Sequence, residues 1–378
     1  MKTILFFAFF GPIMPGALGA ATAGTATVAI ITNKEGAHLS AYFPAVADSP
    51  ETTSVFLSCP DDSVTKNARA TLGAKLKGVY PDPTALFAAQ KPVFTLVSLE
   101  PRLAPAAIRA ALEAGSHVLA EKPACLSAEE FSALAALARQ RGLNLMLALS
   151  NRLNPEVEFA RDLLKKGTIG KVYGLEVHII ADQTRLKKPD YHKSWFAQKA
   201  RAGGGHLIWL GIHWVDLAMN LTGANVTEVA AFTANVGGQK LDVEDSASLV
   251  LKFDQGFLGT MTSGYYLDKG YHSHIKIWGA DGWIELNKYG GETPVRYYSS
   301  KWAKPEIKGH TPNPNAPTGY PPFVAAAVRS SLGLEAPALT TDDSLRVIQT
   351  IYAAYKSAEQ GSSVKISEGT RKTKTSGK

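Results

Sequence analysis

Cysteine is nearly absent from this chain, since only Cys59 and Cys125 occur among 378 residues. Both fall at the ends of predicted strands, on opposite sides of the centre of one sheet, so we expect no disulfide between them. Two isolated cysteines do not form a metal site either. The length suits two domains, each large enough to bury its own core.

A basic surface of the kind that binds nucleic acid is also missing. Lysine and arginine number 40 against 33 aspartate and glutamate residues, a formal net charge of +7, but several positive charges lie in the tail at 370–378. No compact basic run with interleaved aromatic residues occurs, so we expect no nucleic-acid partner. Residues 367–378 are expected to form a disordered basic tail.

A hydrophobic run long enough to span a membrane is missing even at the amino terminus. Residues 1–23 combine Lys2, an apolar stretch at 4–10 and small residues at 15–23, which is the pattern of a secretory signal peptide. There is no twin arginine, which indicates export of the unfolded chain, and no nearby cysteine to carry a lipid. We therefore expect a secreted or periplasmic protein with no stable span after cleavage; a membrane anchor or a wrongly assigned start is the alternative.

The first half, residues 25–150, alternates strands and helices. Apolar, β-branched segments at 25–32, 53–58, 93–98 and 144–149 predict strands, and another short strand follows the alanine-rich helix at 104–114. Helices are predicted after 33–43, at 64–72 and at 127–141. This alternation predicts an α/β protein whose first domain is a Rossmann-like, doubly wound parallel sheet.

The glycine fingerprint of a dinucleotide-binding turn is broken. Such a turn carries Gly-x-Gly-x-x-Gly so that its backbone can approach a pyrophosphate, whereas here a single Gly36 follows Lys34-Glu35. The second strand ends in Ser58-Cys59-Pro60, with Asp61 one residue late for the ribose hydroxyls. A phosphate can still bind at the start of the helix with help from Lys34; loss of tight cofactor binding is the alternative.

The most informative stretch is Gly115-Ser-His-Val-Leu-Ala-Glu-Lys-Pro123. It predicts the end of a helix, a turn, a buried strand and then Glu121-Lys122-Pro123 at the carboxyl end of that strand. In an open parallel sheet this edge is where ligands bind. A lysine there can donate a proton or hold a substrate hydroxyl, and Pro123 restricts the backbone that directs it.

The second half, residues 151–366, predicts a second α/β domain with an open, mostly antiparallel sheet. A helix at 156–166 precedes a strand at 172–181, and further strands are predicted at 226–234, 246–253, 259–265, 272–278 and 282–287. A long polar and aromatic loop at 183–199 carries Tyr191 and Trp195 and is expected to be functional. Residues 301–322 are predicted as a loop or arm, and helices at 322–332 and 341–360 close the fold.

Three glycines at 203–205 introduce a predicted helix at 206–221. Trp209, His213 and Asp216 follow i, i+4 and i+7 and therefore share one face of that helix. A histidine one turn from an acid can be held in one tautomer and titrate near neutrality, which suits acid–base chemistry. Taken alone, His213 fits a core histidine better; its position after the triple glycine favours a functional role.

His272 and His274 share one face of a predicted strand, a spacing compatible with a metal site. No carboxylate or cysteine is spaced to complete the ligand set, so we predict no metal and interpret both as polar positions on a solvent or pocket face. The aromatic residues at 265, 266, 271 and 278 fit either the walls of a sugar site or an interface.

Together these stretches resemble the Gfo/Idh/MocA family of oxidoreductases over residues 25–366. The resemblance is carried by residues 110–123, Asn151-Arg-Leu-Asn-Pro155, the triple-glycine helix with Gly211, His213 and Asp216, and residues 355–361. It implies an NAD or NADP cofactor between the two domains and frequently a homo-oligomer packed through the C-terminal sheet. It also implies hydride transfer from a carbinol carbon of a sugar, polyol or glycoside, with Lys122 and His213 managing the hydroxyl proton.

These observations give a set of predicted site residues. Lys122 and His213 are the catalytic pair, and the substrate pocket contains Trp209, Asp216, Tyr191 and Trp195. The cofactor is expected to contact Asn33, Lys34, Gly36, Ser98, Glu121, Lys122, Pro123 and Arg152.

Departures from the family pattern define the other hypotheses. Trp209 stands where the family commonly has an aspartate, and an exported chain would meet little free nicotinamide. A cofactor that stays bound and is recycled within one turnover would remove this supply problem. The alternative is a carbohydrate-binding or scaffold protein that has kept the fold and lost the cofactor. Metal-dependent hydrolysis through His272 and His274 is a third hypothesis.

Overall fold

A computed structural model describes residues 24–287, 289 and 293–366 of this chain. The predicted signal peptide at 1–23 and the predicted disordered tail at 367–378 lie outside the described residues. None of the described helices is both long enough and apolar enough to cross a membrane.

The first part of the chain alternates strands and helices as predicted. Its elements are β1 (Ala26–Thr32), α1 (Leu39–Asp48), β2 (Thr52–Ser58), α2 (Asp62–Leu72), β3 (Leu76–Tyr80), α3 (Pro83–Ala89), β4 (Phe94–Ser98), α4 (Ala104–Glu113), β5 (His117–Ala120), α5 (Ala128–Gln140) and β6 (Leu145–Leu147). The described strands form a six-stranded parallel sheet in the order β3-β2-β1-β4-β5-β6. The order reverses between β1 and β4, which confirms the doubly wound sheet and places its ligand-binding edge at their carboxyl ends.

Local sequence explains most of these boundaries. Asp61 and Ser127 cap α2 and α5 by accepting hydrogen bonds from first-turn amides. Strands β1 and β4 are apolar runs buried between helices, as central parallel strands are. The sequence pattern misses β3, because Lys77 and Gly78 interrupt its apolar residues at the sheet edge.

The second part of the chain forms the other sheet and the helices that cover it. Its elements are α6 (Pro155–Lys165), β7 (Val172–Asp182), α7 (Pro189–Lys193), α8 (Lys199–Ala202), α9 (Ile212–Thr222), β8 (Val226–Ala234), β9 (Ser246–Phe253), β10 (Leu258–Leu267), β11 (Tyr271–Gly279), β12 (Gly282–Leu286), β13 (Val295–Ser299), β14 (Lys308–His310), α10 (Tyr320–Ser331), α11 (Thr341–Gln360) and β15 (Val364–Lys365). In the described ranges, nine strands pair in the order β14-β13-β12-β11-β7-β10-β9-β8-β15, antiparallel except for β7 and β10. The prediction of a mostly antiparallel sheet is confirmed.

Three predicted segments differ from the structure. The loop at 183–199 contains the 3-10 turns Gln183–Lys187 and Trp195–Ala197 besides α7, and the arm at 301–322 contributes β14. The predicted helix at 206–221 is present, but its first part, Leu207–Gly211, is a π-helical turn that leads directly into α9. The wider turn changes the angular relation between Trp209 and the residues of α9, and π-helical turns of this kind are frequent at functional sites.

The last two helices return to the first domain. Helix α10 packs on α1, and α11 packs on α5 and β6 as well as on β8. The backbone amides of Leu145 and Leu147 in the edge strand β6 donate to the hydroxyls of Thr341 and Ser344. Helices α10 and α11 follow the predicted boundary at residue 150 in sequence, but they pack in part against the first domain.

Candidate active site

Lys122 follows β5 and is almost fully buried. Its Nζ donates a hydrogen bond to the backbone carbonyl of Trp209 at 2.6 Å and lies 3.0 Å from the centroid of the Trp209 ring. Burial, reinforced by Arg185, lowers the pKa of Lys122 to about 7, although the Glu121 carboxylate 3.9 Å away acts in the opposite direction. An amine with this pKa can exchange a proton at neutral pH, as a general acid or base must.

Glu121 is the buried centre of a polar cluster that joins the two domains. His38 Nδ1 lies 2.8 Å from Glu121 Oε2, and the Tyr42 hydroxyl donates to the same oxygen at 2.5 Å. The hydroxyl of Tyr320, at the start of α10, lies 3.3 Å from His38 Nδ1. Burial acts to raise the pKa of Glu121, but His38, Lys122 and Tyr42 outweigh it and lower the pKa, so the carboxylate stays ionised.

The sequence interpretation misses three members of this cluster, His38, Tyr42 and Tyr320. His38 precedes α1 with a left-handed backbone, φ 57°, and Tyr42 follows it one turn later on the same helical face. The His38–Tyr42 spacing close after Gly36 is the one local signal that could have identified them. Tyr320 carries no such signal, because it joins the cluster only through the packing of α10 on α1.

Trp209 covers Lys122 on one side. Its indole stacks on His38 with ring centroids 5.7 Å apart and meets Trp195 and Phe196 edge to face at 5.2 and 4.4 Å. An aromatic cluster therefore lies over the buried ammonium group.

The predicted pocket residues Tyr191, Trp195 and Trp209 do come together, along with Pro123. They line a cavity of only about 10 Å³. A cavity of this size has room for about one water molecule at most. In this conformation these residues pack against one another and leave no room for a sugar.

His213 lies beside a different and larger cavity. This cavity has a volume of about 260 Å³ and is lined by His213 together with Ser150, Asn151, Ile179, Leu210, Trp214, Tyr271, Tyr289, Gly319 and Tyr320. Aromatic rings, an amide and several hydroxyls give it both apolar walls and hydrogen-bonding groups, which suits a polar ring compound. Tyr320 belongs both to this cavity and to the Glu121 cluster, so it connects the two.

Arg152 and Asp216, predicted at the cofactor and in the substrate pocket, bind each other. Arg152 donates three hydrogen bonds to the Asp216 carboxylate at 2.6 to 2.9 Å, and its Nη1 lies 3.2 Å from Asp343. Neither Arg152 nor Asp216 is among the described residues that line the His213 cavity. The structure therefore places both in a buried ion pair between Asp216 of α9 and Arg152, outside the lining of the His213 cavity.

Close packing explains why glycine occupies positions 204 and 205 of the triple glycine. A Cβ at Gly204 would overlap the hydroxyl of Tyr355, and a Cβ at Gly205 would overlap the carbonyl oxygen of Glu244. Glu244 is half-buried, and its carboxylate accepts hydrogen bonds from the Gly205 amide at 2.7 Å and from the Tyr355 hydroxyl at 2.9 Å. These close contacts hold the backbone just before the π-helical turn and so help to position Trp209.

Asn33, Gly36 and Ser98 meet at the edge where the strand order reverses. The Gly36 amide donates to the Asn33 carbonyl at 3.0 Å, and Ser98 Oγ donates to the carbonyl of Ala37 at 2.7 Å. A Cβ at Gly36 would overlap Thr32 Oγ1, so this single glycine lets the turn pack closely on the sheet.

Lys34 is exposed beside this turn and faces Asp61. The pKa of Asp61 is lowered first by hydrogen bonds from Ser63 and Val64 and further by the charge of Lys34. The amino end of α1, the close turn at Gly36 and the cation of Lys34 fit a pyrophosphate, and Asp61 fits the ribose hydroxyls. The residues present are thus compatible with a dinucleotide.

Residues of the second domain cross this edge. Trp195 Nε1 donates to the carbonyl of Glu35 at 3.1 Å, and Arg201 forms ion pairs with Glu35 at 2.5 Å and with Glu100. Trp195 and Arg201 therefore bind the second domain to the first turn of the Rossmann sheet.

His272 and His274 lie on the outer face of β11. His178 on β7 is opposite His274, and these two rings stack with centroids 5.1 Å apart. In the part of the chain that the structure describes, no three histidine, cysteine or acidic residues are grouped to hold a metal ion. Cys59 and Cys125 are buried free thiols.

Fold and site together define a two-domain α/β protein with a dinucleotide-binding topology and a buried lysine at its ligand edge. Residues 28–149 match the family described as "Oxidoreductase family, NAD-binding Rossmann fold", and residues 157–285 match the "GFO/IDH/MocA C-terminal domain". The chain therefore belongs to the Gfo/Idh/MocA family. The predicted class, an NAD-binding oxidoreductase, is confirmed.

Two individual relatives are each less than 30% identical to this chain over the matched residues. The chain is 28% identical over 181 residues to the uncharacterized oxidoreductase YrbE of Bacillus subtilis, covering 46% of this chain and 49% of that protein. It is 26% identical over 201 residues to levoglucosan dehydrogenase of Pseudarthrobacter phenanthrenivorans, covering 47% and 51%. The matches thus span about half the length of these relatives.

A solved structure covers much more of the chain. A levoglucosan dehydrogenase in complex with NADH and L-sorbose superimposes with a TM-score of 0.78 at 19% identity, over 91% of this chain and 99% of that one. This likeness confirms the fold.

Proposed function

We propose that this protein oxidises a hydroxyl group of a sugar, polyol or glycoside with NAD or NADP, and that the substrate binds in the His213 cavity. The observation that carries the proposal is the lining of this cavity, where aromatic walls lie next to Asn151 and the Tyr320 hydroxyl. Polyhydroxylated rings bind to such combinations of aromatic faces and hydrogen-bonding groups. The names of two relatives, levoglucosan dehydrogenase and D-glucoside 3-dehydrogenase, support this substrate class.

Each residue has a proposed role at this site. NAD or NADP, when bound, supplies the hydride acceptor, and Lys34, Gly36 and Ser98 would hold it at the edge between β1 and β4. His213 binds the substrate hydroxyl directly from the cavity and shares its single proton with Lys122, whose neutral amine takes up that proton as the base. Tyr320 donates a hydrogen bond to the substrate, since burial and the charge of Glu121 raise its pKa and keep the phenol protonated.

Lys122 is the second proton-transfer group in this proposal. Its pKa near 7 suits the role, but the Trp209 indole lies over its Nζ. Lys122 therefore reaches the substrate after the indole moves aside, a local rearrangement of the kind that precedes chemistry in many enzymes.

Cofactor binding is the decisive test of this function. Purified mature protein is denatured and assayed by absorbance for released nicotinamide, and NAD and NADP are then titrated into the protein. We expect micromolar or tighter binding of one of them, and its reduction when levoglucosan or a glucoside is added. If neither cofactor is released or bound, the dehydrogenase proposal fails.

Export is part of the proposal and rests on the composition of residues 1–23. The first described strand begins at Ala26, so cleavage after residue 23 would keep all of the described strands and helices. Mass spectrometry of protein recovered from the medium or periplasm should find a chain that starts near residue 24. A full-length chain found only inside the cell would contradict export.

We also propose a homo-oligomer formed through the outer face of the nine-stranded sheet. This face exposes Phe232, Leu258, Val250 and Trp278, at 78, 55, 47 and 38% of their surface. Large apolar side chains on neighbouring strands commonly mark an interaction surface.

A row of charges crosses the same face and supports a twofold dimer. The strand register places Arg296 opposite Glu285, Glu285 opposite Lys276, and Lys276 opposite Glu176. Because the signs alternate, a second copy rotated by half a turn about the middle of the row would set Arg296 against Glu176 and Glu285 against Lys276. The row is therefore complementary to itself.

Charge reversal tests the dimer. Glu176→Lys with Glu285→Lys makes the row uniformly positive and should convert the dimer to a monomer in light-scattering measurements. Glu113→Lys with Glu158→Lys makes the same change at exposed helix positions and should leave the dimer intact. A monomeric wild type at micromolar concentration, or equal dissociation of both variants, would contradict the proposed interface.

A further inference from the structure

A second sizeable cavity lies near the carboxyl end of α9, whereas His213 lies near its start. It has a volume of about 200 Å³, and three arginines from three different elements line it, namely Arg152, Arg161 and Arg346. Asn220 and Asp343 line it as well. The proposed reaction uses none of these residues.

The arginines outnumber the carboxylates available to them. Arg152 is held by Asp216 at 2.6 Å and by Asp343 at 3.2 Å. Among the described residues, Arg161 and Arg346 form no ion pair, and both are half-buried. Three guanidinium groups thus face two carboxylates, which leaves one positive charge uncompensated where the protein partly excludes water.

Asn220 adds an unsatisfied donor to the same place. Its side chain is only 8% exposed, and within the described ranges its Nδ2 has no hydrogen-bond partner. A buried donor without a partner is unfavourable, and native structures contain few of them. Asn220 lines the cavity, so an anionic acceptor there would compensate the excess positive charge next to this amide.

We propose that this cavity binds a compact oxyanion, a phosphate group either free or carried by a small molecule, between Arg161, Arg346 and Asn220. Planar guanidinium groups match phosphate oxygens through parallel, charge-assisted hydrogen bonds. The described residues of the lining include no aromatic ring on which a nucleobase would stack, so the site favours a phosphate or sugar phosphate over a nucleotide.

Calorimetric titration of the full mature chain tests this site, with inorganic phosphate and glucose 6-phosphate as ligands and glucose as the uncharged control, all at constant ionic strength. We expect saturable binding of phosphate that Arg161→Gln with Arg346→Gln weakens at least about tenfold. The matched control, Arg69→Gln with Arg109→Gln, removes two exposed arginines of the first domain and should stay within about twofold of wild type. Binding of glucose 6-phosphate that is tighter than that of phosphate and is weakened by the same double variant would identify a sugar phosphate as the ligand, and equal binding would identify the free anion.

Two results overturn the proposal: absence of saturable binding to the wild type, or equal losses in the two double variants. If the first double variant does not fold, Asn220→Asp places a like charge at the site with little change of shape. It should abolish phosphate binding, and retained binding would overturn the proposal. Because nicotinamide binding is measured separately, failure of the dehydrogenase proposal leaves this test unaffected.

Discussion

Lys122 and His213, the two predicted acid–base residues, occupy contrasting surroundings. Lys122 lies under Trp209, which lines a cavity of about 10 Å³, whereas His213 lines one of about 260 Å³. Burial gives Lys122 a pKa suited to proton transfer, and the same burial separates it from a ligand. In the observed conformation a substrate can therefore contact His213 directly, while Lys122 needs a rearrangement.

The largest expected effect comes from removing the enclosed amine. Lys122→Met keeps the length of the side chain under Trp209 but cannot carry a proton, so turnover should fall about 10²- to 10⁴-fold with cofactor affinity largely retained. Steady-state kinetics and calorimetric titration measure the two quantities, and the exposed Lys66→Met is the control. Unchanged turnover would leave the His213 region alone responsible for the chemistry.

Replacing His213, which lines the larger cavity, should have the next largest effect. His213→Asn removes the imidazole from the larger cavity, and we expect turnover to fall about 10²-fold. The sugar KM should rise while the Kd of the cofactor stays constant, because the cavity is assigned to the substrate. An equal loss of cofactor affinity would show that His213 belongs to the cofactor site and not to the substrate site.

The pH dependence of stability and of the reaction rate tests the lowered pKa of Lys122. The folded pKa of Lys122, about 7, lies below the value of about 10.4 for an unfolded lysine. Between these values the unfolded chain binds more protons, so the contribution of Lys122 to stability becomes more favourable as the pH rises from 7 toward 10. Oxidation needs the neutral amine as base, so the rate should rise through pH 7.

Trp209→Asp tests whether Lys122 causes this rise in rate. A carboxylate beside the ammonium group favours its charged form, so the inflection of the pH–rate profile should move up by about 1 unit or more. Trp209→Phe keeps an aromatic ring and should leave the inflection in place. An inflection that stays at the wild-type pH in Trp209→Asp would assign the titration to another group.

The smallest expected effect concerns the residue that connects the two regions. Tyr320→Phe removes one hydroxyl from both the His213 cavity and the Glu121 cluster, and a hydrogen bond of about 1 kcal/mol corresponds to about a fivefold loss in kcat/KM. Tyr289→Phe removes a hydroxyl from the same cavity, at a ring that contacts Trp214 and Tyr271, and should have a smaller effect. Equal effects would show that the link to Glu121 adds nothing.

The sequence predicts the parts of this site that are local. Lys122 could be located because a buried strand and Glu121-Lys122-Pro123 are contiguous, and β1 and β4 because apolar runs identify central parallel strands. Trp209 over Lys122 could not be predicted, since its position depends on a π-helical turn held by Glu244.

Residues distant in sequence account for the other differences. Tyr320 reaches the Glu121 cluster only through the packing of α10. Asp216 is predicted in the substrate pocket, but it forms an ion pair with Arg152 and does not line the His213 cavity. A helical face identifies which side chains point the same way but not which partner binds them. The sequence analysis also misses strand β13, although Val295, Tyr297 and Tyr298 are residue types that favour strands.

The return of the last helices to the first domain also affects the order of folding. The hydroxyls of Thr341 and Ser344 complete the hydrogen bonding of edge strand β6, and α10 covers α1. A nascent chain that ends at residue 150 would expose an unpaired strand edge and an uncovered helix. The Rossmann sheet is therefore completed only when synthesis has reached α11, and this delay suits a chain that is proposed to cross a membrane before it folds.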